Sequence, residues 1–401
     1  MNNNFLARNY EKIIGLVGDV LMIKILFLIH DLSVGGAEKV LINLVNNMDT
    51  TKFDITVMTL FGGGINEQFL SPNIKHINCF KKAIPGNSHL MKIFSTRMLH
   101  KYLIKEQYDI EIAYLEGPTA RIISGCPNPN TKLISWIHIE QKTKKSAAKA
   151  FRSYNESYKC YNCFERIVCV SETVKKDFCS LYSSINNPIQ VLYNTNESEK
   201  IKKQSGDIVE ENIFQKNELN LIGVGKIVAN KGFDRMARIL KRLRENGYPV
   251  HWYILGVGPE QERIENFLRN NNLQKYFTFL GYQTNPYKYV ANCDLFVCAS
   301  YAEGFSTAAT EALIVGTPVC TVAVSGMKEM LGNNNEFGII VENDDEALYN
   351  GIKMLLDNPM LLKHYKDMAL LRGKDFSTSV TVNAVQNMLV GVMEIDNCLE
   401  K

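Results

Sequence analysis

The stretch DLFVCASYAEGFSTAATEALIVGTPVCTVAV, residues 294–324, changes its local pattern twice. Apolar runs at its two ends, 294–300 and 318–324, predict buried strands, and the small residues between them predict a loop and a helix. Ser306 or Thr307 can cap this helix, because a hydroxyl oxygen accepts a hydrogen bond from the first free N–H groups. The stretch therefore predicts a strand–helix–strand unit of a parallel sheet.

The same alternation continues on both sides of this unit, in two blocks separated by a polar stretch at 194–218. Strands are predicted at 23–29, 53–60, 109–115, 132–138 and 166–171 in the first block, and at 219–225, 250–256, 277–282, 294–300, 318–324 and 338–342 in the second. Helical patterns fill the intervals, as in a doubly wound parallel sheet. The chain therefore predicts an α/β protein with two Rossmann-like domains.

The length of 401 residues also favours two domains, because one ordinary core needs fewer. The expected segments are an N-terminal extension at 1–21, a first Rossmann-like domain at 22–195, a linker at 196–218, a second Rossmann-like domain at 219–377 and a C-terminal helix at 378–401 that can cross back to the first domain. The first boundary rests on Met22, which opens a run typical of a natural start. The apolar run at 13–29 is short for a membrane span and carries Asp19 and Lys24, so a buried first strand is favoured over a membrane anchor.

The composition is that of an ordinary globular protein, with 46% apolar and 22% charged residues. The net charge of +3 is uneven, since the first 195 residues hold 23 basic and 16 acidic side chains. An anionic surface or ligand on that side would explain the excess, and so would chance. The ten cysteines form no zinc-type framework, because Cys160 and Cys163 lack a second pair or nearby histidines. Buried thiols in a reducing cytoplasm are therefore favoured.

Glycines and lysines follow two of the predicted strands, at the sheet edge where ligands of open parallel sheets bind. Gly35 and Gly36 precede a helix and let the backbone approach a phosphate, although a simple tight turn fits equally well. They do not form the GxGxxG fingerprint, which argues against NAD or FAD. Lys226 and Lys231 flank the loop after 219–225, and two ammonium groups there suit a diphosphate.

Two carboxylates, Glu303 and Glu311, bracket the loop and the helix of the opening stretch. At roughly 100° per residue they cannot share a helix face, so Glu303 acts from the loop and Glu311 from the helix body. The backbone N–H groups between them form an anion site at a helix N-terminus and belong to Gly304, Phe305, Ser306 and Thr307. This arrangement suits an activated sugar, with sugar hydroxyls on one glutamate and ribose hydroxyls on the other. His138 ends a strand at the same edge, and both a structural and a functional role are open for it.

Three segments together resemble the family-4 retaining glycosyltransferases of the GT-B architecture. They are GGAE at 35–38, GKIVANKGFDRM at 225–236 and EGFSTAATEALIVGTPV at 303–319. The resemblance covers nearly all of 22–395. It implies two Rossmann-like domains that face each other across a cleft, and transfer of a sugar from a nucleotide sugar to a hydroxyl with retention at the anomeric carbon.

The resemblance also implies roles for the matching residues. Glu303 resembles the glutamate that binds the donor sugar near the reacting carbon, Glu311 the one that binds the ribose, and Lys231 the lysine on the diphosphate. Gly36 matches the glycine that approaches the diphosphate, and His138 the histidine that contacts the sugar from the first domain.

Two positions depart from the family pattern. Lys226 stands where relatives usually carry arginine, so the charge is kept but the bidentate fork is lost. At 324–330 only Gly326 remains of two adjacent glycines, and no role is assigned to Glu329. The expected catalytic residues are His138, Glu303 and Lys231, and the expected donor-binding residues are Gly35, Gly36, Lys226, Lys231, Glu303, Gly304, Phe305, Ser306, Thr307 and Glu311.

No metal or other cofactor is expected, because Lys226, Lys231 and a helix N-terminus can stabilise the charge on a leaving nucleoside diphosphate. The resemblance favours UDP as this diphosphate. Retention normally suggests a carboxylate nucleophile, and Glu303 is the candidate. The resemblance instead implies that this glutamate holds hydroxyls and that the departing phosphate takes the acceptor's proton in a front-face route. Closure of the cleft around the donor is expected in either case.

The run at 75–105 contains seven Lys and Arg residues and no acidic residue, and its second part mixes apolar and basic residues at helical spacing. A second basic patch lies at 142–152. A surface helix packed on the sheet would explain this pattern, but contact with an anionic membrane on its cytoplasmic face is favoured. The resemblance then implies a polyprenyl-diphosphate-linked oligosaccharide as acceptor, in the assembly of a surface polysaccharide.

Two related alternatives are a GT-B sugar-nucleotide epimerase and a non-catalytic GT-B partner subunit. The E-x7-E segment and the basic first domain argue against the epimerase, and the presence of Glu303, Glu311 and Lys231 argues against the non-catalytic subunit. Nucleic acid is not expected as a partner, because the basic patches lack the interleaved stacking aromatics of a recognisable motif.

Overall fold

The chain forms two parallel sheets flanked by helices. The computed structural model describes residues 22–33, 35–82, 91–210 and 213–397. The extension predicted at 1–21 and the end of the C-terminal segment, 398–401, lie outside the described residues. The prediction of an α/β protein with two Rossmann-like units is confirmed.

The first unit is built on a seven-stranded sheet with the order β3-β2-β1-β4-β5-β6-β7, in which every neighbouring pair is parallel. Its elements are β1 Ile23–Ile29, α1 Gly36–Asn47, β2 Phe53–Phe61, β3 Lys75–Phe80, α2 Thr96–Leu103, β4 Ile110–Ala113, α3 Pro118–Ile123, β5 Lys132–Ile137, α4 Lys144–Ala147, α5 Tyr154–Tyr161, β6 Arg166–Cys169, α6 Glu172–Leu181 and β7 Ile189–Val191. The central strands are buried on both faces, so they are almost wholly apolar.

The second unit is built on a six-stranded parallel sheet with the order β10-β9-β8-β11-β12-β13. Its elements, with the helices that precede and follow the sheet, are α7 Ser198–Ser205, β8 Leu219–Val224, α8 Phe233–Glu245, β9 Val250–Leu255, α9 Gln261–Asn270, β10 Phe277–Gly281, α10 Tyr287–Ala291, β11 Leu295–Cys298, α11 Thr307–Val315, β12 Val319–Val322, α12 Met327–Leu331, β13 Ile339–Val341, α13 Asp345–Asp357, α14 Pro359–Gly373 and α15 Thr378–Asn397. The strand–helix–strand unit predicted at 294–324 is β11, α11 and β12.

Two strands were not predicted, β3 and β7. Both lie at an edge of the first sheet and are partly exposed, so neither carries a continuous apolar run. The polar run at 196–218 also differs from a plain linker of loops, because it contains α7. This helix buries only Ser198 and Ile201, which leaves most of its sequence polar.

The C-terminal helix α15 lies against the first unit, although it follows the second in the chain. The side-chain oxygen of Gln386 accepts a hydrogen bond of 2.7 Å from the backbone N–H of Asp49, just after α1. At the start of the helix, Thr378 accepts a 2.8 Å hydrogen bond from the backbone N–H of Ser198. Among the described residues, none of the helices has the length and apolar character needed to cross a bilayer.

Candidate active site

The carboxyl edges of the two sheets face each other across a cavity of about 210 Å³. Both units contribute to its lining, with Gly36 and His138 from the first and Lys231 and Glu303 from the second. Ligand pockets for small molecules usually enclose roughly 300–1,000 Å³. The cavity between the two units is therefore smaller than a typical small-molecule pocket. A larger cavity, about 600 Å³, runs along 205–216 and contains none of the predicted site residues.

The N-terminus of α11 borders the cavity. Ser306 is the N-cap residue, and its hydroxyl oxygen accepts a 3.4 Å hydrogen bond from the N–H of Ala309. Gly304, Phe305 and Thr307 also line the cavity. The anion site at this helix N-terminus stays a prediction. The Phe305 ring packs against Tyr193 with ring centroids 5.0 Å apart, so this residue can offer only its main chain to a ligand. 

Lys231 and Glu303, predicted to bind different parts of the donor, are paired in the cleft. The Lys231 ammonium lies 2.7 and 2.8 Å from the two carboxylate oxygens of Glu303, and the Ser300 hydroxyl donates a further 2.7 Å hydrogen bond. Gly232 sets the position of the lysine, because its φ of +68° favours glycine and a Cβ there would lie 2.0 Å from the carbonyl oxygen of Ala299. The loop after β8 is thereby held against the end of β11.

Glu311 is buried in the body of α11 and contacts two residues that the sequence did not indicate. Its Oε1 accepts a 2.6 Å hydrogen bond from the ammonium of Lys39, which belongs to α1 of the first unit. Lys39 also lies 3.0 Å from the hydroxyl of Tyr287, at the start of α10. Lys39 follows directly after the GGAE segment, and this position next to the predicted site was the sequence signal that could have identified it. Its partner Glu311 lies 272 positions away in the chain, so the sequence did not indicate the pairing.

His138 is buried beside Tyr114, with ring centroids 4.8 Å apart. Burial lowers the pKa of His138 to about 3, so the imidazole is neutral at physiological pH. Its Nε2 has no hydrogen-bond partner in the described part of the chain. A neutral imidazole whose Nε2 has no partner can donate or accept a hydrogen bond with a ligand hydroxyl in the cavity, depending on its tautomer.

The two glycines after β1 differ in their surroundings. A Cβ on Gly36 would meet only the Thr307 hydroxyl, at 3.9 Å, so the cleft is open at this point. A Cβ on Gly35 would overlap the carboxylate of Glu38. Lys226, in the loop after β8, is exposed. The structure thus brings Gly36, His138, Lys231 and residues 303–307 to one cavity, whereas Gly35, Lys226 and Glu311 are not among its lining residues.

Glu329, which received no role from the sequence, joins the two units near the same cleft. Both of its carboxylate oxygens accept 2.8 Å hydrogen bonds from the backbone N–H of Glu172, at the N-terminus of α6. Beside it, the hydroxyls of Ser171 and Ser325 lie 3.1 Å apart. These contacts tie the second unit to a helix end of the first, which is favourable for a carboxylate.

Asn194 is a cleft residue that sequence reasoning missed. Its side-chain amide donates a 3.3 Å hydrogen bond to the carbonyl of Phe305, and its Oδ1 is buried without a hydrogen-bond partner among the described residues. It lines the same cavity as His138. Asn194 lies in the polar stretch at 194–218 between the two units. Its composition is that of surface loops, so the sequence did not indicate Asn194 as a cleft residue.

Two family models match the sequence. The model "Glycosyltransferase Family 4" matches residues 34–196, and the model "Glycosyl transferases group 1" matches residues 205–370. The two matches divide the chain into the same two units as the sheets.

Similar proteins of known name include an N-acetylgalactosamine-N,N'-diacetylbacillosaminyl-diphospho-undecaprenol 4-alpha-N-acetylgalactosaminyltransferase of Campylobacter jejuni. It is 27% identical over 368 residues, which span 88% of this chain and 96% of that protein. The lipopolysaccharide core biosynthesis glycosyltransferase LpsD of Rhizobium meliloti is 23% identical over 83% of this chain and 88% of its own length. A crystal structure of Anabaena HepE with UDP and glucose superposes with a TM-score of 0.70 at 16% identity, covering 92% of this chain and 100% of that one. The GT-B fold is thereby confirmed.

Proposed function

Since the chain belongs to glycosyltransferase family 4, we propose that it transfers a hexose or N-acetylhexosamine from a UDP sugar to a hydroxyl of a lipid-linked oligosaccharide, with retention at the anomeric carbon. The observation that carries the proposal is the Lys231–Glu303 pair in a cavity bordered by the N-terminus of α11, with Glu311 in the body of the same helix. This arrangement offers cations, free N–H groups and two acceptors for hydroxyls within one cleft, which are the groups a nucleotide sugar needs.

The donor diphosphate is assigned to Lys231, Lys226 and the N–H groups at the start of α11. As the bond from the sugar to the phosphate breaks, negative charge grows on the nucleoside diphosphate. Preorganised ammonium and N–H groups stabilise that charge where water is excluded. UDP is favoured because the structurally similar HepE was solved with UDP.

The sugar is assigned to Glu303 and His138, and the ribose to Glu311. Glu303 is hydrogen-bonded to Lys231 and Ser300, and these bonds lower the nucleophilicity of its carboxylate while leaving it capacity to accept a further hydrogen bond. This favours a role in holding sugar hydroxyls. The front-face route then follows, in which the departing phosphate oxygen takes the acceptor's proton while the acceptor oxygen attacks from the same side.

A surface of the first unit suits a membrane-bound acceptor. We call the exposed side chains of Ile93, Phe94, Arg97, Met98, Lys101 and Tyr102 the basic apolar patch. They lie on α2 and on the loop before it, whereas Leu99 and His100 of the same helix are buried. Apolar and cationic side chains on one exposed face fit the headgroup region of an anionic bilayer.

Hydrogen bonds from two arginines hold the loop of this patch in place. The buried guanidinium of Arg121 donates hydrogen bonds of 2.8 and 2.6 Å to the carbonyls of Met91 and Phe94. Arg152 donates a further hydrogen bond, of 2.9 Å, to the carbonyl of Ile93. The large apolar side chains therefore point outward from an ordered backbone, at the energetic disadvantage of contact with water. We propose that they dock the protein peripherally on the cytoplasmic face of the cell membrane.

The proposed acceptor is a polyprenyl-diphosphate-linked oligosaccharide, in surface polysaccharide assembly. Two similarities support it: the Campylobacter relative is named for a diphospho-undecaprenol acceptor, and LpsD for lipopolysaccharide core biosynthesis. The test is incubation of the purified protein with UDP-hexoses and UDP-N-acetylhexosamines and a synthetic acceptor of this class. Mass spectrometry should detect an added sugar, and NMR should show the anomeric configuration of the donor in the product.

Two other outcomes would overturn the proposal. A change in the donor sugar without any acceptor would identify an epimerase. No reaction with any donor, from a folded protein that binds none of them, would identify a non-catalytic subunit.

A further inference from the structure

Lys39 reaches across the cleft and forms an ion pair with Glu311, the glutamate that is assigned to the ribose. Its ammonium lies 2.6 Å from Glu311 Oε1 and 3.0 Å from the hydroxyl of Tyr287, and that hydroxyl lies 3.4 Å from the same carboxylate oxygen. Lys39 comes from the first unit, while Glu311 and Tyr287 come from the second. One oxygen of Glu311 is therefore committed to a group on the opposite side of the cleft.

Burial explains why Glu311 needs such a partner. The side chain of Glu311 is 7% exposed, and an ionised carboxylate that is removed from water is costly without a counter-charge. Burial lowers the pKa of Lys39, but the charge and hydrogen bonds of Glu311 and Tyr287 outweigh it, and the pKa of Lys39 lies above its ordinary value. The lysine is therefore charged, and the pair is neutral overall.

Lys39 is less buried than Glu311. Its side chain is 40% exposed, so water can solvate the ammonium when the contact breaks. Glu303 shows a parallel arrangement, because Lys231 occupies both of its oxygens. Both glutamates that are assigned to donor hydroxyls thus form ion pairs with lysines in this structure.

We propose that Lys39 pairs with Glu311 until the ribose of a bound donor displaces it. This inference rests on the proposed function, in which Glu311 binds that ribose. Ribose hydroxyls and an ammonium are both hydrogen-bond donors, and they compete for the carboxylate oxygens of Glu311. Donor binding expels Lys39 and breaks a contact between the two units. The lysine therefore sets donor affinity and holds the two units together until a donor binds.

The test compares UDP affinity, by isothermal titration calorimetry, for the wild type and for Lys39→Met. Removal of the competitor should tighten UDP binding several-fold. Lys39→Arg should bind like the wild type, because arginine can also pair with Glu311. Lys52→Met is the matched control for the loss of one positive charge, since Lys52 pairs on the surface with Asp49 at 3.4 Å. Lys39→Gln replaces Lys39→Met if the latter does not fold.

Weaker UDP binding by Lys39→Met would overturn the proposal and make Lys39 a ligand of the diphosphate. Unchanged binding would overturn it as well. If UDP binds the wild type, either result leaves the proposed function standing. If neither the wild type nor the variant binds UDP, GDP or ADP, the proposed function and the proposed role of Lys39 both fail.

A second experiment measures the distance between two spin labels, one on each unit, which reports how far the cleft is closed. Lys39→Met should lengthen this distance in the absence of nucleotide, and the charge-exchanged pair Lys39→Glu with Glu311→Lys should restore it. An unchanged distance in Lys39→Met would show that the pair does not hold the cleft closed, whatever the protein transfers.

Discussion

The ammonium of Lys231 is bonded to both carboxylate oxygens of Glu303, at 2.7 and 2.8 Å, in the cleft between the two units. The two residues are 72 positions apart and follow different strands of one sheet. The pair places a cation next to the N-terminus of α11, where the leaving diphosphate is assigned.

We expect Lys231→Met to lower kcat for sugar transfer by roughly 100- to 1,000-fold, the usual loss when one group that stabilises transition-state charge is removed. The KM for the donor should rise less. Steady-state kinetics with a UDP sugar would measure both. Lys353→Met is the control, because Lys353 is an exposed surface lysine of the same unit that pairs with Asp357. A kcat within twofold of the wild type would remove Lys231 from the proposed mechanism.

Gly304 allows the two units to touch, since a Cβ there would lie 2.1 Å from the carbonyl oxygen of His138. Gly304→Ala should therefore prevent full closure and lower sugar transfer by more than tenfold, with both units still folded. Small-angle scattering should show a larger radius of gyration. Gly391→Ala is the control, because a Cβ on Gly391 meets no atom within 4 Å in the described residues. Equal activity of the two variants would contradict the closed cleft as the active form.

The basic apolar patch is testable with vesicles that contain phosphatidylglycerol. The double change Met98→Asp and Tyr102→Asp adds charge where two exposed apolar side chains would be buried, each worth about 1.5–3 kcal/mol. Vesicle binding measured by co-sedimentation should fall at least tenfold. Met360→Asp is the matched control, because Met360 is exposed on the second unit. Binding that persists in the double variant would place the membrane contact elsewhere.

His100 and Glu111 form a buried pair beneath the patch, with Nε2 and Oε2 2.8 Å apart. Burial lowers the pKa of His100, but its contacts with Cys126 and Glu111 raise it to about 9, against an ordinary 6.5. A raised pKa stabilises the fold fully below about pH 6.5, and this stabilisation is lost as the pH rises through 9.

The free energy of unfolding should therefore fall by up to about 3 kcal/mol between pH 6 and pH 10, as measured by urea denaturation. His100→Gln should remove most of this dependence, whereas His364→Gln, at an exposed position, should keep it. The same slope in both variants would mean that another group titrates.

The two units and most of the cleft were evident in the sequence, because buried parallel strands are continuous apolar runs and ligands gather where such strands end. The strand–helix–strand unit at 294–324, the cap at Ser306 and the positions of Glu303 and Glu311 follow from short-range patterns. Edge strands β3 and β7 escaped prediction because partial exposure removes the apolar run on which such predictions depend.

Partners across the cleft could be identified only in three dimensions. The pairing of Lys39 with Glu311, and of Glu329 with the start of α6, joins groups that lie more than 150 positions apart. No local pattern encodes such a contact, because it depends on how two separately folded sheets are placed against each other. Local sequence thus determined which groups stand at each sheet edge, and the packing of the two units decided which of them neutralise one another across the cleft.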